Sequence, residues 1–190
     1  LLTNATNLES TSSIMFFDYM NGWNINAGEN ASIVSWMWKR APGYFDVVAY
    51  KGDGNNSQTV NHNLGVAPAM MWVKDRDYST SWNVYHTGLN GGTTPQDYVI
   101  RLNRTDPNYD NYTVWNDTAP TGTQFTVGLA SDINGSNRLY IAYLFANLPG
   151  ISKVGSYTGT GTTPLNIDCG FTSGARFVLI KRTDQAFGWF

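Results

Sequence analysis

The sequence predicts an all-β protein of antiparallel β-sandwich modules in tandem, with a repeat of about 107 residues. Three observations predict it. Residues 33–82 and 140–189 align without a gap at an offset of 107 positions. Short β-branched and aromatic runs recur between Gly, Pro, Asn and Asp, the pattern of strands closed by tight turns. No stretch of 12 residues joins a 3.6-residue periodicity to good helix formers.

The offset brings Val47, Tyr50, Gly52 and Gly54 onto Val154, Tyr157, Gly159 and Gly161. It brings Val60, Leu64, Val73, Lys74, Asp77 and Trp82 onto Ile167, Phe171, Ile180, Lys181, Asp184 and Trp189. Upstream, Trp36, Trp38, Pro42 and Gly43 meet Tyr143, Phe145, Pro149 and Gly150. A fixed offset of this length marks copies of one structural unit.

The elements follow in chain order. Strands are expected at 33–38, 47–50, 58–63, 70–74, 82–86, 98–102, 111–115, 124–128 and 139–145. The second copy restarts them at 153–157, 165–169 and 176–181. Met70, Met71, Trp72 and Val73 form an unbroken apolar run, as do Phe177, Val178, Leu179 and Ile180. Such strands are covered on both faces and sit mid-sheet. Tyr98, Ile100 and Leu102 alternate with Val99, Arg101 and Asn103, which suits a half-exposed strand. Gly52-Asp53-Gly54 reads as a glycine-rich hairpin turn, since a phosphate loop would need a helix to follow.

Pro42-Gly43 and Pro149-Gly150 mark the joints, because proline lacks a donor and glycine accepts φ > 0. Residues 43–149 are then one complete β module. Residues 1–42 read as the C-terminal part of a preceding module, for which a lectin-like sandwich is a candidate. Residues 150–190 read as the N-terminal part of a following one. A half sandwich leaves an open core and a bare edge. A longer parent chain is the favoured resolution. The alternative is that 1–42 and 150–190 complete each other, within a chain or between subunits. Homo-oligomers, a trimer first, are expected from those edges.

Charged residues make up 14% of the chain, against about 25% in an average globular protein. The net charge of −2 gives no electrostatic footprint for nucleic acid. The apolar runs are too short to span a bilayer as helices, so no membrane insertion is expected. The lone Cys169 aligns with His62, which suits a packing position better than a reactive thiol.

No constellation for catalysis emerges, so no enzyme, cofactor or metal is expected. His62 and His86 are the only histidines, and no short-spaced metal pattern includes them. The carboxylates are scattered; Asp77 and Asp184 repeat as turn residues. The run Asp106-Pro107-Asn108-Tyr109-Asp110 matches no defined calcium loop. Tyr109, Tyr112 and Trp115 are the candidates for a ligand-binding surface, as aromatic faces on which a sugar ring stacks.

The run from Ser35 to Val48 resembles a segment of large structural proteins of tailed bacteriophages, especially marine and cyanobacterial ones. So do His62-Asn63-Leu64-Gly65-Val66-Ala67-Pro68, Trp115-Asn116-Asp117-Thr118-Ala119-Pro120 and Tyr140-Ile141-Ala142-Tyr143-Leu144-Phe145. In the second copy, Val154 to Gly161 and Cys169 to Asp184 are similar to the same domain family. The resemblance implies a virion location, a tail fibre or similar appendage, and contacts with other virion proteins and host surface glycans. It brings no catalytic residues. The alternatives are a capsid-surface decoration or fibre protein, and a glycan-binding or glycan-cleaving module.

Overall fold

A computed structural model describes residues 3–9 and 37–190, together with the backbone of two short paired strands, β1 (Met15–Phe16) and β2 (Asn24–Ile25). Of the strand expected at 33–38, residues 33–36 lie outside the described residues, and so does most of the expected 1–42 module.

Residues 45–145 hold eight further strands: β3 (Phe45–Lys51), β4 (Gln58–Asn61), β5 (Met70–Asp75), β6 (Asn83–His86), β7 (Tyr98–Arg101), β8 (Tyr109–Asp110), β9 (Gln124–Val127) and β10 (Leu139–Phe145). They form a six-stranded antiparallel sheet in the order β3-β10-β5-β6-β7-β8 and a separate antiparallel pair, β4-β9. The protein is therefore mostly antiparallel β structure, with two single-turn helices, α1 (Tyr112–Trp115) and α2 (Ser131–Asn134).

Side chains on a strand alternate between faces, and here the alternation feeds two cores. Val48 and Tyr50 of β3, Met71 and Val73 of β5, Tyr85, Val99, and Tyr140, Ala142 and Leu144 of β10 share a cluster with Val60, Phe125 and Val127 of the β4-β9 pair. Val114, Trp115 and Ile133 of the two helices close it. On the opposite face, Phe45, Trp72, Trp82, Val84, Ile100 and Phe145 form a second cluster, with Trp38, Val154, Leu179 and Trp189 against it. Residues on both sides of 43–149 thus cover that face.

Several local expectations change. The run 70–74 is, as expected, the mid-sheet strand β5, flanked by β10 and β6; elsewhere the outcome differs. Strand β7 is not half-exposed: Val99 fills one core and Ile100 the other, because both sheet faces are covered. Residues 111–115 form α1 rather than a strand. The Asn111 side chain accepts a hydrogen bond from the Thr113 N–H, and Asn116 ends the turn at φ 52°. The loop at Gly52-Asp53-Gly54 is not a hairpin, since β3 and β4 lie in different sheets. It crosses between them by pressing against the end of α2. A Cβ on Gly52 would lie 2.4 Å from the Gly135 carbonyl oxygen.

The largest correction falls on residues 150–190. The expected strands at 153–157, 165–169 and 176–181 are irregular backbone, with isolated bridges pairing Leu148 with Ser152 and Lys181 with Trp189. The ladder explains why. In 43–149, β3 and β5 both pair with β10, and β4 pairs with β9. Among the described residues, no strand ladder includes residues 150–190. A strand without a ladder leaves its N–H and C=O groups unpaired, and water then competes for them.

Leu144 is fully buried mid-sheet. Leu144→Ala is expected to lower unfolding stability by about 2–5 kcal/mol, as for other buried leucines. Chemical denaturation monitored by tryptophan fluorescence measures it.

Candidate functional site

The chain around α1 builds a small surface groove. Asn111 caps the helix through Thr113, to which it is bonded at both the backbone N–H and the hydroxyl (3.2 and 2.6 Å). The Gly128 N–H donates to the Val114 carbonyl (2.7 Å), which fixes α1 beside the end of β9. After the helix, Asn116 and Asp117 both take positive φ, 52° and 46°. Consecutive left-handed residues without glycine cost backbone energy and persist only where the surroundings hold them. Here the Asn116 N–H bonds to the Tyr112 carbonyl and the Thr118 N–H to the Trp115 carbonyl.

The result is a groove of about 200 Å³ lined by Asn56, Tyr112, Thr113, Asn116 and Leu129. Tyr112 is 62% exposed and Leu129 49%. An aromatic ring, an aliphatic side chain and two carboxamides offer one apolar surface and several hydrogen-bonding groups. Burial, with Asp97 and Asp110 nearby, holds the Asp117 carboxyl above its usual range.

The three aromatic candidates therefore separate. Tyr112 stands at the surface. Trp115 is buried in the core, edge-on to Tyr85 at 6.1 Å, and has no open face to offer. Tyr109 is half-buried, with the Arg101 guanidinium over its ring at 5.3 Å. Sequence reasoning missed Leu129 and Asn56, which reach the groove from distant loops.

Several of the buried polar residues serve the turns. Asp46 accepts from the Val47 N–H (2.9 Å), the Asn63 N–H (2.8 Å) and the Arg40 guanidinium. Burial by itself would raise its carboxyl, but these donors outweigh it and hold the carboxyl below the usual range. This pins the chain entering β3 to the loop after β4. His62 stacks on Phe125, accepts the Leu64 N–H at Nδ1 (3.2 Å) and bonds the Thr121 carbonyl through Nε2 (3.2 Å). Both ring nitrogens are thus used in the neutral form, and burial pulls its pKa down. His86 accepts the Gly88 N–H at Nδ1 (2.8 Å), and burial lowers its pKa too. In the turn after β4, Gly65 supplies the positive φ of 80°.

A larger cleft of about 530 Å³ lies between the 102–106 loop and Trp189. The Trp189 indole N–H donates to the Arg101 carbonyl (3.0 Å), and the Phe187 N–H to the Thr105 carbonyl (2.9 Å). Among the described residues no group of three or more His, Cys, Asp or Glu side chains is placed to hold a metal ion. No helix there is long and apolar enough to cross a membrane. Cys169 is a free, partly exposed thiol.

The sequence matches one family, a domain of unknown function designated DUF7483, over residues 2–190, and the chain belongs to it. No curated protein and no solved structure matches the chain.

The sign of the pH dependence follows from the buried groups. The folded-state pKa values of His62 and His86 lie below the unfolded value of about 6.5. The unfolded chain therefore binds more protons below that pH, and stability falls as pH drops from 7 to 5. Asp46, held low, contributes stability above about pH 4, which is lost as pH falls through its folded value. Urea midpoints across pH 3–7 check both; His62→Gln should flatten the upper limb and Asp46→Asn the lower.

Proposed function

We propose that this DUF7483 chain is a phage virion structural protein, a tail fibre or similar external appendage. Its β modules act as a spacer and carry a surface for host attachment. The sequence repeat carries this reading, since repeated modules extend a particle outward without chemistry of their own.

The backbone at the two joints supports the repeat. Ala41 and Phe45 form a bridge, and so do Leu148 and Ser152 at the same offset. Gly43 has φ 70° and Gly150 φ 74°. We read 43–149 as one two-layer sandwich, the six-stranded sheet against the β4-β9 pair, with the shared apolar cluster between them. Homo-oligomers, a trimer first, and other virion proteins are the partners proposed.

The groove at Tyr112 favours one addition to this role, recognition of a host surface glycan. Tyr112 and Leu129 would meet the apolar face of a sugar ring, and Asn56 and Asn116 its hydroxyls. The polar set fits binding rather than cleavage.

Three experiments test these readings. Immunogold labelling of intact virions with an antibody to 43–149 should decorate one appendage on each particle; bare particles would sink the virion assignment. On an array of host capsular and lipopolysaccharide glycans, Tyr112→Ala should lose binding while the unfolding midpoint stays put. For the repeat, a chain carrying a copy of residues 83–149 after Trp189 should gain amide protection across 152–182. Unchanged exchange there would refute the module reading.

A further inference from the structure

The groove at Tyr112 has an uncharged lining but a charged setting. Asn56, Tyr112, Thr113, Asn116 and Leu129 line it. They come from two stretches, 52–73 and 105–137, that contain no lysine or arginine. The same stretches carry Asp53, Asp106, Asp110, Asp117 and Asp132. The whole chain has 12 basic and 14 acidic residues, so its cations are gathered elsewhere.

Three carboxylates stand at the ends of α1. Asp117 follows Asn116 and is exposed. Asp110 precedes the capping Asn111, is exposed, and faces Tyr98 across the β7–β8 pair. Asp97 adjoins Tyr98, and its backbone carbonyl accepts the Asn111 N–H at 2.7 Å. Asp97 and Asp110 thus flank the start of the helix and Asp117 its end. Both of the first two help to hold the Asp117 carboxyl up, and no cation acts on it. The basic residues nearest in sequence are engaged at other places. Arg101 lies over the Tyr109 ring, and Arg104 pairs with Asp106. Arg138 pairs with Asp75, and Lys74 donates to the Asp75 and Tyr78 carbonyls. Lys51 is exposed at the end of β3, opposite Leu139.

We propose that the Tyr112 groove selects its glycan by charge. It takes a sugar residue that is uncharged or bears a free amino group, and turns away uronate, phosphate and sulfate. This deepens the reading of the groove as a glycan site and rests on it. An ammonium gains twice, from the carboxylates and from the face of the exposed Tyr112 ring. An anion meets like charge on both sides of α1, and specificity arises from that repulsion as much as from any contact. Screening limits the reach of these charges to about 8 Å at physiological salt. The sorting therefore acts on the ring seated in the groove and not on the polysaccharide as a whole.

The test starts from the array of host capsular and lipopolysaccharide glycans. Binders that are lost in Tyr112→Ala should be neutral or amino-sugar glycans. One neutral binder is then oxidised at its C6 hydroxyls to the uronate, and both forms are titrated against the intact chain. The uronate should bind about tenfold more weakly, and the gap should narrow as salt rises from about 0.05 to about 0.5 M. The double variant Asp110→Asn, Asp117→Asn should close most of the gap by strengthening the uronate alone. Asparagine tolerates the φ of 46° at position 117, so the unfolding midpoint should hold. Tyr112-dependent binders that are anionic, a uronate that binds as well as the neutral form, or a gap that the double variant leaves unchanged would each overturn the charge selection and leave the glycan site standing. An array without any Tyr112-dependent binder overturns both.

Discussion

Strand β10 is hydrogen-bonded along both of its edges, to β3 on one side and β5 on the other, and every other part of the sheet depends on that double pairing. Its side chains also divide the interior. Tyr140, Ala142 and Leu144 enter one core, while Tyr143 and Phe145 enter the other. Ala142 matters by its size: it leaves room for Val73 and Val48 on the neighbouring strands, which larger side chains would crowd. Because β3 and β10 are about 100 residues apart in sequence, Phe45 opposite Phe145, the central ladder closes only after the chain between them has been made. Loop-closure entropy is met before these contacts reward it, which places folding of this sheet among the slow, non-local kind.

The polar interior follows from the same arrangement. At four places near strand ends or crossovers, a buried polar side chain answers backbone groups. Asp46 does so where the chain enters β3. Asp75 accepts from the Asp77 and Tyr78 N–H groups beyond β5, and Arg138 pairs with it from the start of β10. Asn134, fully buried, bonds to Asp53 and Asn55 and ties α2 to the crossover between β3 and β4. Tyr140 bridges Ser131 and Gly135 at 2.7 Å each, and burial pushes its hydroxyl up to about 12. Left unpaired, each such group would cost on the order of 1–3 kcal/mol. Their partners are turns and caps, so their chemistry is spent on shape. That is why the surface groove at Tyr112 draws the functional reading.

How much of this was legible in the sequence depends on the range of the interaction. The apolar run 70–73 announced a strand covered on both faces, and 139–145 and 124–128 were legible from β-branched and aromatic content. The run 111–115 has the same content, yet an asparagine at each end turned it into a helix. Side-chain caps compete locally with strand propensity, and here they won. The groove was half legible. Tyr112 stood out as a surface aromatic in a turn-rich segment, whereas Leu129 and Asn56 are brought to it only by the packing of β9 against α1 and by the β3–β4 crossover. Trp115 was misplaced for the same reason: its burial comes from Tyr85, on a strand that no local window joins to it.

The two stretches that align at the 107-residue offset separate the two ranges within one chain. Several local interactions recur in both stretches. The bridge at Ala41 and Phe45 is matched at Leu148 and Ser152. Lys74 donates its Nζ to the carbonyl of the next residue at 2.6 Å, and Lys181 does the same at 2.7 Å. Gly54 and Gly161 share φ values of 73° and 71°. Where the interaction needs a distant strand, only the first copy makes it, and the same residue pattern is buried sheet in one place and exposed irregular chain in the other. Strand propensity at 177–180 is as high as at 70–73, so propensity does not decide between them. The partner strand does: β5 has β10 and β6 on its two edges, and 177–180 has no ladder among the described residues.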